Sequence, residues 1–190
     1  VENEIPLRIK QAFIAAEDAQ FYYHKGIDFL GVLRAAYVNV VAGRIRQGAS
    51  TLTQQVARAF LLSPERTFER KIREIILSWQ IENYLTKEEI LSLYLNHIFL
   101  GAGSYGVAAA AEVYFGKRLE DVSVAEAAIL GGLPQAPSRY SPQKNPMRVK
   151  RRQLYVLNQM LEQNFISKQE FEEAANADVF VEPAKNVNKT

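Results

Sequence analysis

The stretch Glu17-Asp18-Ala19-Gln20-Phe21-Tyr22-Tyr23-His24-Lys25-Gly26 follows the apolar run Ala12-Phe13-Ile14-Ala15-Ala16. It sets two adjacent carboxylates at the end of a helical pattern, then aromatics, one of the chain's two histidines and a glycine. Carboxylates placed there are expected to be partly desolvated. Loss of water disfavours the charged form, raises a carboxylate pKa and makes the group a usable proton acceptor. His24 has no second histidine or cysteine near it in sequence, which favours a hydrogen-bonded structural role over metal ligation.

The pattern on both sides of this stretch is helical almost throughout, so the sequence predicts an all-α chain. Pro6 suits an early helix position, and Ile9, Phe13 and Ala16 recur at helical spacing. Residues 27–43 carry Leu30, Leu33, Tyr37, Val40 and Val41 at three- and four-residue steps, with apolar residues on more than one face. Such a helix is either core or the occupant of a membrane interface, where Arg34, Arg44 and Arg46 would meet lipid phosphates. A third helix is expected to start at Ser50 or Thr51 and to stop at Ser63-Pro64. Residues 67–85 read as a long amphipathic helix with Phe68, Ile72, Ile75, Ile76, Trp79 and Ile81. Thr86–Glu89 and Ser123–Glu126 have capping-box spacing. Gly101–Gly106 reads as a turn, Val107–Phe115 as a helix, and Gly131-Gly132 as the end of a small-residue helix. Helices at about 147–163 and 167–176 close the domain, expected to span 1–178. Residues 179–190 read as the start of a linker.

Composition narrows the function classes. The 190 residues are 48% apolar and 23% charged, as in an ordinary globular chain, and contain no cysteine, which excludes disulfides and thiolate metal sites. Net charge is only +2, but residues 43–73 hold seven basic and two acidic groups. A local excess of this kind points to an anionic partner such as a diphosphate or an acidic headgroup, or to a solvated helix face. The most apolar run, Ala35–Gly43, falls short of the ~20 residues of a membrane span. No signal peptide is apparent, and Val1 in place of methionine suggests an excised piece.

Two constellations carry chemistry. Gln47-Gly48-Ala49-Ser50-Thr51-Leu52-Thr53-Gln54-Gln55 packs hydroxyls and amides around a helix start, where free backbone N–H groups attract anions or sugar hydroxyls. The plainer reading is an N-cap with exposed amides. Arg70, Lys71 and Glu74 share one helix face at i,i+3 and i,i+4 spacing. They form either a surface salt bridge or a holder for a diphosphate leaving group.

Together these segments resemble the peptidoglycan glycosyltransferase module of bifunctional penicillin-binding proteins. The motifs are Glu17-Asp18-x-x-Phe21-x-x-His24-x-Gly26, Gly48-x-Ser50-Thr51-x-Thr53-Gln54-Gln55, Arg70-Lys71-x-x-Glu74, the stretch from Lys87 to Tyr94-Leu95-Asn96, and that from Gly106 to Gly116-Lys117. They come in family order over residues 8–142. Ser92 stands where the family usually has an acidic residue, and Arg58 where lysine is common.

The resemblance implies a lysozyme-like fold with a larger head lobe and a smaller membrane-dipping jaw lobe near 27–66. It implies polymerisation of lipid II by a single inverting displacement, with Glu17 as general base and Glu74 as the second catalytic carboxylate. Ser50, Thr51, Gln54, Gln55, Arg58, Arg66, Arg70 and Lys71 would bind the substrate. Asp18, Phe21, His24 and Asn96 would support the site. No tightly bound cofactor is expected, beyond a divalent cation, Mg or Mn, at the diphosphate near Glu74. The implied partners are lipid II, the growing glycan on its polyprenyl diphosphate, the membrane surface through the 27–43 helix and a transpeptidase domain in the parent chain. Nucleic acid is not among them. The implied location is the outer face of the bacterial cytoplasmic membrane, with an N-terminal transmembrane anchor. The alternatives are a lysozyme-like lytic enzyme and a non-enzymatic module that binds acidic membranes or nucleic acid.

Overall fold

A computed structural model of the chain describes residues 5–43, 48, 50–61 and 67–183. The expected stop at Ser63-Pro64 lies outside these residues, as do Arg44, Arg46, Arg66, Gln47 and 184–190. Among the described residues the chain is all-α apart from one short hairpin. The elements are α1 (Leu7–Glu17), α2 (Phe29–Ala42), α3 (Leu52–Leu61), α4 (Phe68–Tyr84), α5 (Lys87–His97), β1 (Phe99–Gly101), β2 (Ser104–Tyr105), α6 (Val107–Phe115), a 3-10 turn (Leu119–Asp121), α7 (Val124–Gly132), α8 (Pro146–Glu162) and α9 (Lys168–Asn176). The segment read as a plain turn is the antiparallel hairpin β1–β2.

The chain divides into two compact units, residues 17–94 and a flanking unit of 1–16 with 95–190. In the flanking unit α7 is buried along nearly its whole length and packs on α8, which packs on α9. The expected capping box holds α7 in place: Glu126 N donates to Ser123 Oγ, and Ser123 N donates to Glu126 Oε2. Gly131 and Gly132 do more than end this helix. A Cβ at Gly131 would lie 2.8 Å from the Ala12 carbonyl oxygen, so glycine lets α7 approach α1 backbone to backbone. The segment expected to open a linker has no regular secondary structure as far as Pro183, and two hydrogen bonds dock it. Glu182 N donates to Tyr114 O at 2.8 Å, and Gln143 Nε2 donates to Glu182 O at 3.0 Å.

The 17–94 unit has unusual helix faces. α2 begins at Asp28, whose side chain accepts from Gly31 N, and ends at left-handed Gly43. Its only buried residue is Ala35, while Phe29, Leu30, Leu33, Tyr37, Val40 and Val41 are exposed. The core reading of this helix is therefore corrected. α4 is inverted in the same sense: it buries Glu74 and Ser78 and exposes Phe68, Ile72, Ile76 and Trp79. An amphipathic helix in water normally buries its apolar stripe. Here the polar face is committed inward. Among the described residues no helix is long and apolar enough to cross a membrane.

Candidate active site

The site is assembled around the first turn of α3, within residues 17–94. Thr51 Oγ1 accepts from Gln54 N at 3.1 Å, and Gln54 Oε1 accepts from Thr51 N at 3.2 Å. This is a capping box with glutamine in the third position. Thr51 Oγ1 also donates to Gly26 O at 2.7 Å. Gly26, at φ +84°, brings its loop so near α4 that a Cβ would lie 2.9 Å from the Ser78 backbone. Thr51 and Gln54 are both 2% exposed. Thr51 Oγ1 and Gln54 Oε1 serve the cap, but Gln54 is not the exposed amide that the plainer N-cap reading expected.

Asp18 is the second anchor of α3. It accepts from Leu52 N at 2.9 Å, and His24 Nε2 lies 3.0 Å from both of its oxygens. Carboxylate and imidazole together tie the loop after α1 to the start of α3. Phe21 is fully buried beneath the Lys87 ammonium, which sits 4.5 Å from the ring centroid. Lys87 Nζ and Thr53 Oγ1 both donate to Glu82 Oε1, at 2.7 and 2.6 Å. This brace between α3, α4 and α5 was not legible in the sequence, because its members are far apart along the chain. Asn96 lies in the last turn of α5, exposed and outside the 17–94 unit.

From this scaffold two neighbouring amides reach in different directions. Gln55 Nε2 donates to Glu17 Oε2 at 3.0 Å. Gln54 Oε1 lies 3.5 Å from Lys71 Nζ, which also donates to Ser50 Oγ at 3.1 Å and to Glu74 Oε1 at 2.5 Å. Glu17, the last residue of α1, is half-buried; Glu74 is fully buried. Arg70 Nη1 stands 3.5 Å from Glu74 Oε2. Among the described residues Glu74 Oε2 and Arg70 Nε are buried without a hydrogen-bond partner, which leaves one acceptor and one donor of the cluster open. Arg58 is exposed on α3 and near enough to act electrostatically on Tyr94. The i,i+3 and i,i+4 pairs of α4 thus lie on the helix's inward face rather than forming a simple surface bridge.

These donors do not fit a resident divalent cation. One Glu74 oxygen is bonded to an ammonium and the other faces a guanidinium. Among the described residues no three His, Asp or Glu side chains converge. A hard dication needs several oxygen ligands and no competing cation beside them. The arrangement is instead a cation cradle on a buried carboxylate, beside a carboxylate held by a neutral amide.

Comparison with known proteins identifies the family. The profile of the family described as Transglycosylase matches residues 1–161. Penicillin-binding protein 1A of Neisseria gonorrhoeae is 51% identical over 180 residues, 95% of this chain, and the chain spans 23% of that protein's length. A transglycosylase of Cupriavidus necator is 51% identical over 172 residues, 90% of this chain and 74% of its own. The crystal structure of penicillin-binding protein 1A from Haemophilus influenzae superposes with TM-score 0.58 at 30% identity, over 96% of this chain and 18% of that one. The all-α, lysozyme-like fold expected from the motifs agrees with that match. The chain belongs to the transglycosylase family, as a module of the kind found in penicillin-binding protein 1A.

Proposed function

We propose that the chain is a peptidoglycan glycosyltransferase that polymerises lipid II by inverting transfer. The observation that carries this reading is the pair Gln54 and Gln55. Consecutive residues on one rigid turn address the cation cluster and the carboxylate, so a single element fixes the leaving-group holder and the base together. Glu17 takes the proton of the acceptor sugar's 4-hydroxyl. That oxygen bonds to the donor's anomeric carbon as the bond from that carbon to the diphosphate oxygen breaks. Charge gathers on the departing diphosphate, where Lys71 and Arg70 meet it, with Arg58 and Arg66 as further cations. Ser50 lies beside Lys71 and shares that anion. Glu74 sets the position of Lys71 and Arg70 from beneath.

The exposed apolar faces of α2 and α4 extend the reading to the membrane. Side chains such as Leu30, Leu33, Ile72 and Trp79 need an apolar medium, and lipid supplies it beside a site whose substrate is a polyprenyl lipid. The parent protein then works at the outer face of the cytoplasmic membrane, held by an N-terminal anchor and coupled to a transpeptidase domain. The lytic alternative requires one acid and no diphosphate cradle, and so leaves the Lys71–Arg70–Glu74 cluster without a task.

Incubation with purified lipid II and, separately, with finished cell-wall glycan tests the proposal. Polymer from the first and no soluble fragments from the second are expected. Fragments without polymer would make the chain a lytic enzyme.

A further inference from the structure

Three helices bring their side chains together at the end of α1. Gln55 of α3 donates Nε2 to Glu17 Oε2 at 3.0 Å, and Tyr94 of α5 donates its hydroxyl to Gln55 Oε1 at 3.4 Å. Both links of this chain of hydrogen bonds are buried, Tyr94 at 2% and Gln55 at 8% exposure. We propose that Tyr94 is a positioning residue for the base, its hydroxyl anchoring the Gln55 carbonyl oxygen while the amide presents its N–H to Glu17. The proposal rests on the assignment of Glu17 as the base.

A primary amide has two ends of opposite character. Turned by half a revolution, Gln55 would set its carbonyl oxygen against a carboxylate oxygen, two acceptors face to face. Ionised Glu17 by itself selects the N–H end. Tyr94 adds to this by donating to Gln55 Oε1, which it can do because its phenol remains protonated. Burial, then the negative charges of Glu17 and Asp18, push it well above 10, with Arg58 opposing. The Gln55 amide is therefore anchored at both ends, which holds the ionised base in place to accept the proton. A neutral donor also costs Glu17 less basicity than a cation in its place would. The 3.4 Å contact is long for an O–H···O bond. Contacts of this kind commonly tighten once substrate is bound.

The test is Tyr94→Phe in the purified chain with lipid II as substrate. We expect kcat to fall about three- to tenfold, the effect of one neutral hydrogen bond, with KM unchanged. Gln55→Leu should fall further, and Tyr94→Phe/Gln55→Leu should fall no lower than Gln55→Leu, because the hydroxyl acts only through the amide. Unchanged kcat in Tyr94→Phe overturns the proposal. So does a double variant that loses the full product of the two single effects. Melting curves accompany each variant. If Tyr94→Phe melts early, the comparison is made at a temperature where all three are folded. Glu17→Gln in the same assay separates the two levels: polymer from that variant removes the base itself, whereas an inactive Glu17→Gln beside an unaffected Tyr94→Phe removes only the positioning role.

Discussion

Glu74→Gln perturbs the cation cradle with the least change of shape. The carboxylate is fully buried, with Lys71 Nζ at 2.5 Å and Arg70 Nη1 at 3.5 Å. The amide keeps the volume and removes the negative charge that faces both cations. Deleting one partner of a buried ion pair costs about 3–5 kcal/mol when the other is left dry. Lys71 is 40% exposed and can turn toward water, whereas Arg70, at 15%, is more confined. Solvent screening of Lys71 reduces the expected loss to about 2 kcal/mol. For a chain of this size that lowers Tm by about 4–8 °C. Polymerisation should fall more steeply, by about 10²–10³ in kcat, because the donors meant for the leaving group lose their placement. Thermal melts and a lipid II polymerisation assay read the two effects. Lys71→Met with Glu74→Gln completes the test. If Glu74 acts by placing the cations, the double variant loses much less than the product of the singles. Wild-type melting and turnover in Glu74→Gln would refute the reasoning. Full multiplicativity would show instead that Glu74 acts on the substrate directly.

Two further outcomes follow from the same unit and its neighbour. Leu30→Asp/Leu33→Asp should release the chain from phosphatidylglycerol vesicles in a sedimentation assay, with affinity falling at least about tenfold, since burying each leucine contributes about 1.5–3 kcal/mol; unchanged sedimentation would remove α2 from the membrane contact. Burial raises the Tyr114 phenol to about 12 and Tyr94 well above 10, and Tyr22, half-exposed, is raised to about 12 by partial loss of water and by its hydrogen bond to Glu88. A raised folded pKa gives stability that is complete below the unfolded value near 10 and is lost as pH rises through the folded values. Tyrosinate absorbance should therefore show three of the nine tyrosines lagging until the chain unfolds in alkali. Ionisation of all nine at about pH 10 with native circular dichroism would contradict these placements.

Helix positions were largely legible because apolar spacing and caps are local signals. Thr86–Glu89 and Ser123–Glu126 form the boxes that their spacing predicts. The orientation of the helices was not legible. Periodicity marks an apolar face on α4 but does not say whether protein or lipid covers it, and here Glu74 points inward while Trp79 points out. The hydroxyls and amides after Gly48 looked alike in sequence. The structure sorts them by reach: Thr51 and Gln54 cap α3, Ser50 meets Lys71 and Gln55 meets Glu17. Tyr94 and Gln55, 39 positions apart, carry no spacing signal at all. The family motif included both residues without linking them.

The division of labour between Glu17 and the Lys71 cradle is the centre of the account. Turnover of lipid II by Glu17→Gln measures it most directly, with folding checked by melting temperature and circular dichroism. The predicted result is a folded chain that forms no glycan polymer. Polymer at an undiminished rate would contradict the assignment of Glu17 as the base.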